Sequence, residues 1–465
     1  MDKKIEILGN GSVGDKAKQF QLKALDLSEI GWNIQKKFIL AQDFLTELLQ
    51  GQVLSSDSRE PRIKNRQLFQ HLSSSLSSSF GNVPLAVRFS GDKDARGTGT
   101  YLTNFCTLSN LEQALSEVLG SHSSEEALIF RKLAKAGETF GIIIEPIIGQ
   151  RLGDVFSPIF SGFGYTSTLR GEGYLSIVPG LGGGVSSSEG EKIFASDLKE
   201  SKGSLEEYLF GELEKMSSYL SPKKRRLSVL LRNFGSRELG FLGDAFDLKS
   251  EEVMKTYFDF EALGLDTFFR TLNLNPLFEM MESTERTFGT PQYFEWAMTL
   301  DNEAKAKYWI TQIADCDKEV DSLEFEDFGD TLFLAHTVTG TGKKDCSDII
   351  CCWNQEDLKK LPTFNNSHSQ YILMFSSRLS RLGALHLKDF YNAAVLLELQ
   401  DANHIGDPIS HLVGKVKETG LYFGVLDYEG EIAPRWDIFS GEETIYKGKL
   451  GVCASEAKNR LVIYR

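Results

Sequence analysis

No apolar run in the 465-residue sequence is long enough to cross a bilayer, so a membrane-spanning helix is not expected. The N-terminus, MDKKIEILGNG, lacks the apolar core of a secretion signal. Cysteines number six and share no regular spacing, with Cys351 and Cys352 adjacent. That pattern excludes a disulfide framework and a spaced thiolate metal site. It predicts reduced thiols in a cytoplasm-like compartment, and a cytoplasmic protein is expected. The seven histidines are equally scattered. Positive charge is also short. The net charge of −14 argues against a nucleic-acid partner. The basic run from Lys223 to Arg226 reads as a solvated face. No internal repeat is visible.

What is present is ordinary for a globular chain: 41% hydrophobic and 25% charged residues. At roughly 150 residues per domain the length accommodates two to four domains. The texture changes at the acidic stretch DKEVDSLEFEDFGD, which predicts a larger domain over 1–320 and a smaller one over 321–465. In the second part short strands and helices alternate (TLFLAHTV, DIICCW, YILMFSS, AAVLLELQ, then HLVGKVKET and LYFGVLD), an α/β pattern. In the first part the segment LFEMMESTERTF predicts a helix, with Asn275 as cap, Pro276 in the first turn and Gly289 just past the end. The serine run LSSSLSSSF reads as a loop or a helix end.

The segment FGTPQYFEWAMTLDNEAKAKYWITQI, residues 288–313, carries the densest signal. Phe294, Trp296, Met298 and Leu300 alternate with Tyr293, Glu295, Ala297 and Thr299, the period of a strand. A polar turn and a second strand, KYWITQI, complete a hairpin. A turn centred on Glu303 and Ala304 sets Glu295 opposite Gln312, and opposed residues share a face. An acid and an amide side by side suit a metal-bound phosphate and a ribose.

Other residues point the same way. In GNGSVGDKAKQF, Lys16 follows a glycine turn and opens a helix, a setting that favours anions and is also a common helix start. Arg88, on the apolar strand PLAVRFS, needs an anionic partner, either a triphosphate or an acidic side chain. The loop GDKDARGTGT that follows is a candidate phosphate lid, with Arg96 and Thr98 in it. GIIIEPII reads as a strand ending near Glu145, and Gly180 to Gly184 as a flexible turn or a ligand loop. Further on, a strand leads through a glycine loop to Ser410 and His411 at a helix start. Such a pair is commonly a cap and its neighbour. The free amides there also suit a phosphorylated imidazole.

Taken in order, these segments resemble the phosphoenolpyruvate synthase and pyruvate phosphate dikinase family. That family closes its ATP-grasp domain with Phe-Gly-x-Pro-Gln-Asp-Ile-Glu-Trp-Ala and a strand ending Leu-Gln-Thr-Arg. Phe288, Gly289, Pro291, Gln292, Glu295, Trp296, Ala297 and Gln312 match, while Tyr293 replaces Asp and Ala314 replaces Arg. Gly183 stands in place of Glu in Gly-Leu-Gly-Glu, and Asp15 in place of the second Gly of Gly-Gly-Lys-Gly. Gly406, Ser410, His411, Glu418 and Gly420 match the family's phosphohistidine swivel domain, with Asp407 and Ile409 as departures. The resemblance implies an ATP-grasp fold followed by a smaller α/β swivel domain, and an ATP-dependent phosphotransferase that uses ATP and Mg²⁺. It implies that Lys16, Arg88, Glu145, Ile147, Glu295 and Gln312 hold the nucleotide, Glu295 the metal, and His411 the phosphate, with His404 as the fallback acceptor. The segment after the swivel ends at Arg465 without a pyruvate-binding barrel, so a separate phosphate acceptor is expected. The alternative expectation is a degenerate nucleotide-binding module with a regulatory or structural role.

Overall fold

The structure, a computed structural model, describes residues 4–51, 61–94, 100–152, 155–158, 160–166, 174–179, 191–194, 275–301, 305–316, 330–376, 379, 386–399, 416, 418–426, 445–455 and 460–465. Helices and sheets are mixed, an α+β architecture. The chain divides into two compact units. Met1–Arg96, Tyr101–Ser123 and Glu138–Asp317 make the first; Gly97–Thr100, Ser124–Gly137 and Lys318–Arg465 make the second.

In the first unit the described chain runs β1 (Ile5–Leu8), α1 (Gly14–Ile30), β2 (Asn33–Ile34), β3 (Lys37–Leu40), α2 (Gln42–Leu48), α3 (Arg66–Phe80), β4 (Leu85–Gly91), β5 (Thr103–Cys106) and α4 (Leu111–Ser121). After α5 (Glu125–Ala134), which belongs to the second unit, come β6 (Phe140–Pro146), β7 (Gln150–Leu152), β8 (Val155–Ser157), β9 (Phe160–Tyr165), β10 (Tyr174–Pro179), β11 (Glu191–Phe194), α6 (Asn275–Phe288), β12 (Gln292–Leu300) and β13 (Ala306–Asp315). Two larger sheets result, ordered β1-β3-β6-β4-β5 and β11-β10-β9-β12-β13-β2, and β7 pairs with β8 in a two-stranded ribbon.

Helix α1 serves both sheets. Its Ala17 packs on Ile39 and Ile143 of the first. Its Phe20, Ala24 and Leu27 join Trp32, Phe294, Trp296, Ile310 and Ile313 in the core of the second. The indole of Trp32 donates to Thr284 Oγ1 on α6 at 3.0 Å, which satisfies its N–H inside that core. The other face of the first sheet packs on α2, α3 and α4 through Phe44, Leu45, Leu72, Leu76, Leu115 and Val118. The serine run lies inside α3, beyond a mere helix end. Leu72 and Leu76, four residues apart, bury one stripe while the serines face outward, so helical spacing overrides their weak propensity.

In the second unit a barrel of seven strands closes on itself. Its strands are β14 (Thr331–Thr339), β15 (Gly342–Cys352), β16 (Tyr371–Ser376), β17 (Ala393–Leu399), β18 (Tyr422–Leu426), β19 (Ile445–Ser455) and β20 (Arg460–Tyr464). The order is β14-β18-β17-β16-β15-β19-β20. Strands β15 to β18 pair in parallel, and helices α7 (Gln355–Leu358), α8 (Leu361–Ser367) and α9 (Leu387–Phe390) lie in the connections. Strands β19 and β20, which sequence reading left unassigned, pair antiparallel and complete the closure.

The near-continuous apolar runs of β15 to β18 follow from burial on both faces. Ile349, Cys351, Ile372, Met374 and Leu397 lie in a cluster to which all seven strands contribute, which is the barrel interior. Their neighbours Ile350, Cys352, Leu373, Phe375 and Phe423 meet Leu361, Phe364, Leu387 and Phe390 on the outside. Phe130 and Ala134 of α5 join that outer cluster, which is why residues 124–137 fall with this unit despite their sequence distance. No disulfide forms: five of the six cysteines are buried and Cys316 is partly buried, all as free thiols. Burial pushes the thiols of Cys346 and Cys352 up to about 12, which keeps them protonated. No helix among the described residues is long and apolar enough to cross a membrane.

Leu397 is fully buried in the barrel interior. Leu397→Ala should cost about 2–5 kcal/mol in chemical denaturation. Lys449→Ala, at an exposed position on the same barrel, should stay within about 0.5 kcal/mol.

Candidate functional site

Three strands of the first sheet and two of the second supply one buried polar cluster. Lys37 opens β3, Arg88 lies in β4, and Glu145 comes near the end of β6. Glu295 and Gln312 come from β12 and β13. Arg88 is the junction. Its Nη1 donates to Glu145 Oε1 at 3.3 Å, and its Nη2 donates to Glu295 Oε2 at 2.9 Å and to Gln312 Oε1 at 2.8 Å. Its Nε is buried and finds no acceptor. Lys37 Nζ contacts Glu145 Oε2, donates to Thr311 O at 3.3 Å, and sits 4.2 Å from the centre of the Phe20 ring. Two cations and two carboxylates thus share a water-poor space, where each is costly unless paired.

The hairpin that presents Glu295 is held at its base by a second polar knot. The amide of Gln292 donates to Thr290 and Asp315, while its carbonyl accepts from Lys23 Nζ at 2.7 Å. Lys23 Nζ also pairs with Asp315 at 2.7 Å. Gly289, in the left-handed region at φ +70°, closes α6 through its amide to Glu285 O. The FGTPQ stretch, residues 288–292, is therefore structural, and the acid Glu295 follows it on β12.

Glu295 pairs with Gln312, as the hairpin pattern predicts. The route differs, since Leu300 pairs with Ala306 and Trp296 with Ile310. That register alone would set Glu295 opposite Thr311. A bulge between Glu295 and Trp296 adds the extra residue, restores the Gln312 pairing and leaves the Thr311 carbonyl to accept from Lys37.

Tyr293 occupies the same region. Its hydroxyl donates to Glu295 Oε1 at 3.2 Å, and its ring packs with Phe163 and Tyr165. Burial, then the Glu295 charge, push the phenol well above its usual value, so it remains a donor. Burial, then the positive charge of Arg88, push Lys37 well below the usual lysine value, and Glu295 opposes them.

The remaining expected residues lie apart from this network or outside the description. Lys16 is in the first turn of α1, buried, with its ammonium 3.1 Å from Asp94 Oδ2. Ile147 follows β6, and its amide donates to Pro84 O at 2.8 Å. His404, His411, Arg96, Thr98, the glycines 180–184, residues 197–274 and the basic run at 223–226 lie outside the described residues.

The glycine turn before α1 is filled by the chain itself. Asp43 accepts from the amides of Asn10 and Gly11 at 2.8 and 2.9 Å and caps its own helix through Phe44 N. These amides hold the Asp43 carboxyl below the usual aspartate value of 3.8. Two amides of the turn that precedes the helix start are thus engaged by a carboxylate from α2. Gly14, at φ +72°, opens α1 directly against the Ser90 backbone, where a Cβ has no room. Ser90 Oγ accepts from Ala17 N at 2.9 Å and serves as the missing cap.

Sequence reading missed Lys37, Asp43, and Tyr293 as a partner of Glu295. The signal for Lys37 was a lone ammonium at the head of a buried apolar strand, the same argument applied to Arg88. No local pattern marked Asp43, which acts across 32 residues.

Magnesium prefers near-octahedral oxygen ligands, with one or two carboxylates free to face it. Here Arg88 covers one oxygen of Glu295 and Tyr293 the other, with Lys37 nearby. Among the described residues no three acidic, histidine or cysteine side chains cluster around a metal-sized point. As arranged, these residues do not fit a divalent ion. No protein-family model matches this chain, and no curated protein matches its sequence.

Two outcomes test the geometry without reference to function. Arg88→Met should cost about 3–5 kcal/mol, because it leaves Glu295 and Gln312 buried without their donor. Adding Glu295→Gln should cost less than the two single changes summed, with a coupling of about 0.5–3 kcal/mol in a double-mutant cycle. Strict additivity would contradict the ion pair.

For Asp43 the folded value lies below the unfolded one, so its contribution is fully present above pH 3.8 and lost as pH falls through the folded value. The difference in melting temperature between wild type and Asp43→Ala should be constant from about pH 7 to about pH 5 and shrink below the usual aspartate value. A difference that grows on acidification would contradict the capping role.

Proposed function

We propose that the first unit is a nucleotide-binding domain of the ATP-grasp kind. We propose further that the chain is an ATP-dependent phosphotransferase, with His411 of the second unit as phosphate carrier to a separate acceptor. One observation supports the nucleotide reading above the others: Arg88 gathers Glu145, Glu295 and Gln312 from two sheets and retains a buried Nε–H without an acceptor. A buried guanidinium donor of this kind suits a phosphate oxygen.

In this reading the domain positions ATP, and the fixed charges of Arg88 and Lys37 favour the negative charge that develops on the transferred phosphoryl group. His411, as a neutral imidazole, attacks that phosphorus and forms an N–P bond as the bond to the leaving nucleotide oxygen breaks. The acceptor class is a small molecule or a partner subunit.

A second reading has its own support. Tyr293 and Arg88 cover both oxygens of Glu295, which suits a module that binds nucleotide for a regulatory or structural purpose without transfer.

One experiment separates the two. Saturating ATP should raise the melting temperature by mass action, equivalent to about 2.7 kcal/mol at a hundred times Kd. Labelled ATP should then leave a base-stable, acid-labile label on the protein, which His411→Ala removes while the melting shift remains. A shift without any label supports the second reading. Label that persists in His411→Ala, or moves to His404, rejects His411 as carrier. No shift at millimolar ATP removes the nucleotide reading itself.

A further inference from the structure

The cluster around Arg88 carries its own charge balance. Lys37 and Arg88 are two cationic groups set against the carboxylates of Glu145 and Glu295, and the Glu145 contact favours the charged form of Lys37 against the burial that lowers it. A site organised by a divalent ion is built the other way: carboxylates outnumber side-chain cations, because the ion is the largest local charge. In this chain the matching positive charge is covalent. Lys37 is directed on three sides, to Glu145, to the Thr311 carbonyl released by the bulge, and to the face of Phe20. An ammonium has three N–H donors, so its position is fully specified. Glu295 is specified as fully, by Arg88 on one oxygen and Tyr293 on the other. A divalent ion entering here would have to displace one of these donors and approach two fixed cations.

We propose that Lys37 takes the part of the metal ion: it is the built-in cation of this site, and nucleoside phosphates bind to the first unit as free polyanions, without a divalent metal. The inference rests on the nucleotide reading above and specifies the form of the ligand. The bulge in β13 and the Lys37 head of β3 are one device, since the bulge turns the Thr311 carbonyl to the ammonium that the strand start delivers. Tyr293 belongs to it as well, because a phenol at that point supplies a donor to Glu295 where a second carboxylate would add charge. Arg88 Nε, buried without an acceptor, is the donor left for a phosphate oxygen.

The test is ATP binding by calorimetry to the full chain, once in excess EDTA and once in excess Mg²⁺. The expected dissociation constants agree within about threefold. A variant with Lys37→Met and Glu145→Gln removes one charge of each sign and leaves the Arg88–Glu295 pair. It should bind ATP at least about tenfold more weakly in EDTA, with its fold checked by circular dichroism. Binding by wild type only in the presence of Mg²⁺ overturns the proposal and leaves the nucleotide reading standing. Unchanged binding by a folded double variant in EDTA also overturns it. Absence of binding in both conditions removes the nucleotide reading and this inference together. The EDTA arm uses wild type alone, so it decides the question even where the variant does not fold.

Discussion

The guanidinium of Arg88 is the constraint on which the first unit turns. It bonds to both sheets through three side chains, Glu145 in its own sheet and Glu295 and Gln312 in the other. Hydrophobic contact through α1 brings the sheets together, yet apolar burial is non-directional and does not select one alignment. A buried charge network does, because each misplaced partner leaves an unpaired ion. The order of construction follows. Apolar burial on α1 sets the spacing, the Gln292–Asp315–Lys23 knot anchors the base of the hairpin, and the bulge turns Gln312 and the Thr311 carbonyl into the shared space.

The second unit follows a different logic. Its barrel is held by apolar contacts on both faces of the parallel strands. A closed barrel has no unpaired edge, which removes the main aggregation hazard of a sheet. Four of the six cysteines lie on its strands, buried, and act there as small apolar residues.

What could be read from the sequence tracks the range of the interaction that sets it. The α6 boundaries came from local caps, Asn275, Pro276 and Gly289, and the helix spans Asn275–Phe288. The Glu295–Gln312 pairing was visible because hairpin partners are close in sequence, although the bulge that secures it left no mark in the residue pattern. Arg88 was visible as a charge in an apolar strand. Which of its two possible partners it takes was not, because Glu145 and Glu295 lie 57 and 207 residues away. The same distance limit hid Asp43 in the glycine turn and placed α5 with a unit whose main segment begins nearly two hundred residues later. Lys37 was a different failure. It stood at the head of KKFIL, and an ammonium at the start of a run that buries completely needs a partner as much as Arg88 does.

Two features of this site pull in opposite directions, and their tension is informative. A closed, internally neutral network stabilises the unit with no ligand and so lowers the gain from binding one, since a ligand must replace contacts already made. A buried donor left without an acceptor on the same guanidinium does the reverse, because it costs free energy until something accepts it. A network evolved only for stability would use that donor or exclude it by replacing Arg88 with an apolar residue, which is often neutral or stabilising at buried ion pairs. The open donor at the junction of two sheets is therefore the feature on which the proposed ligand reading rests.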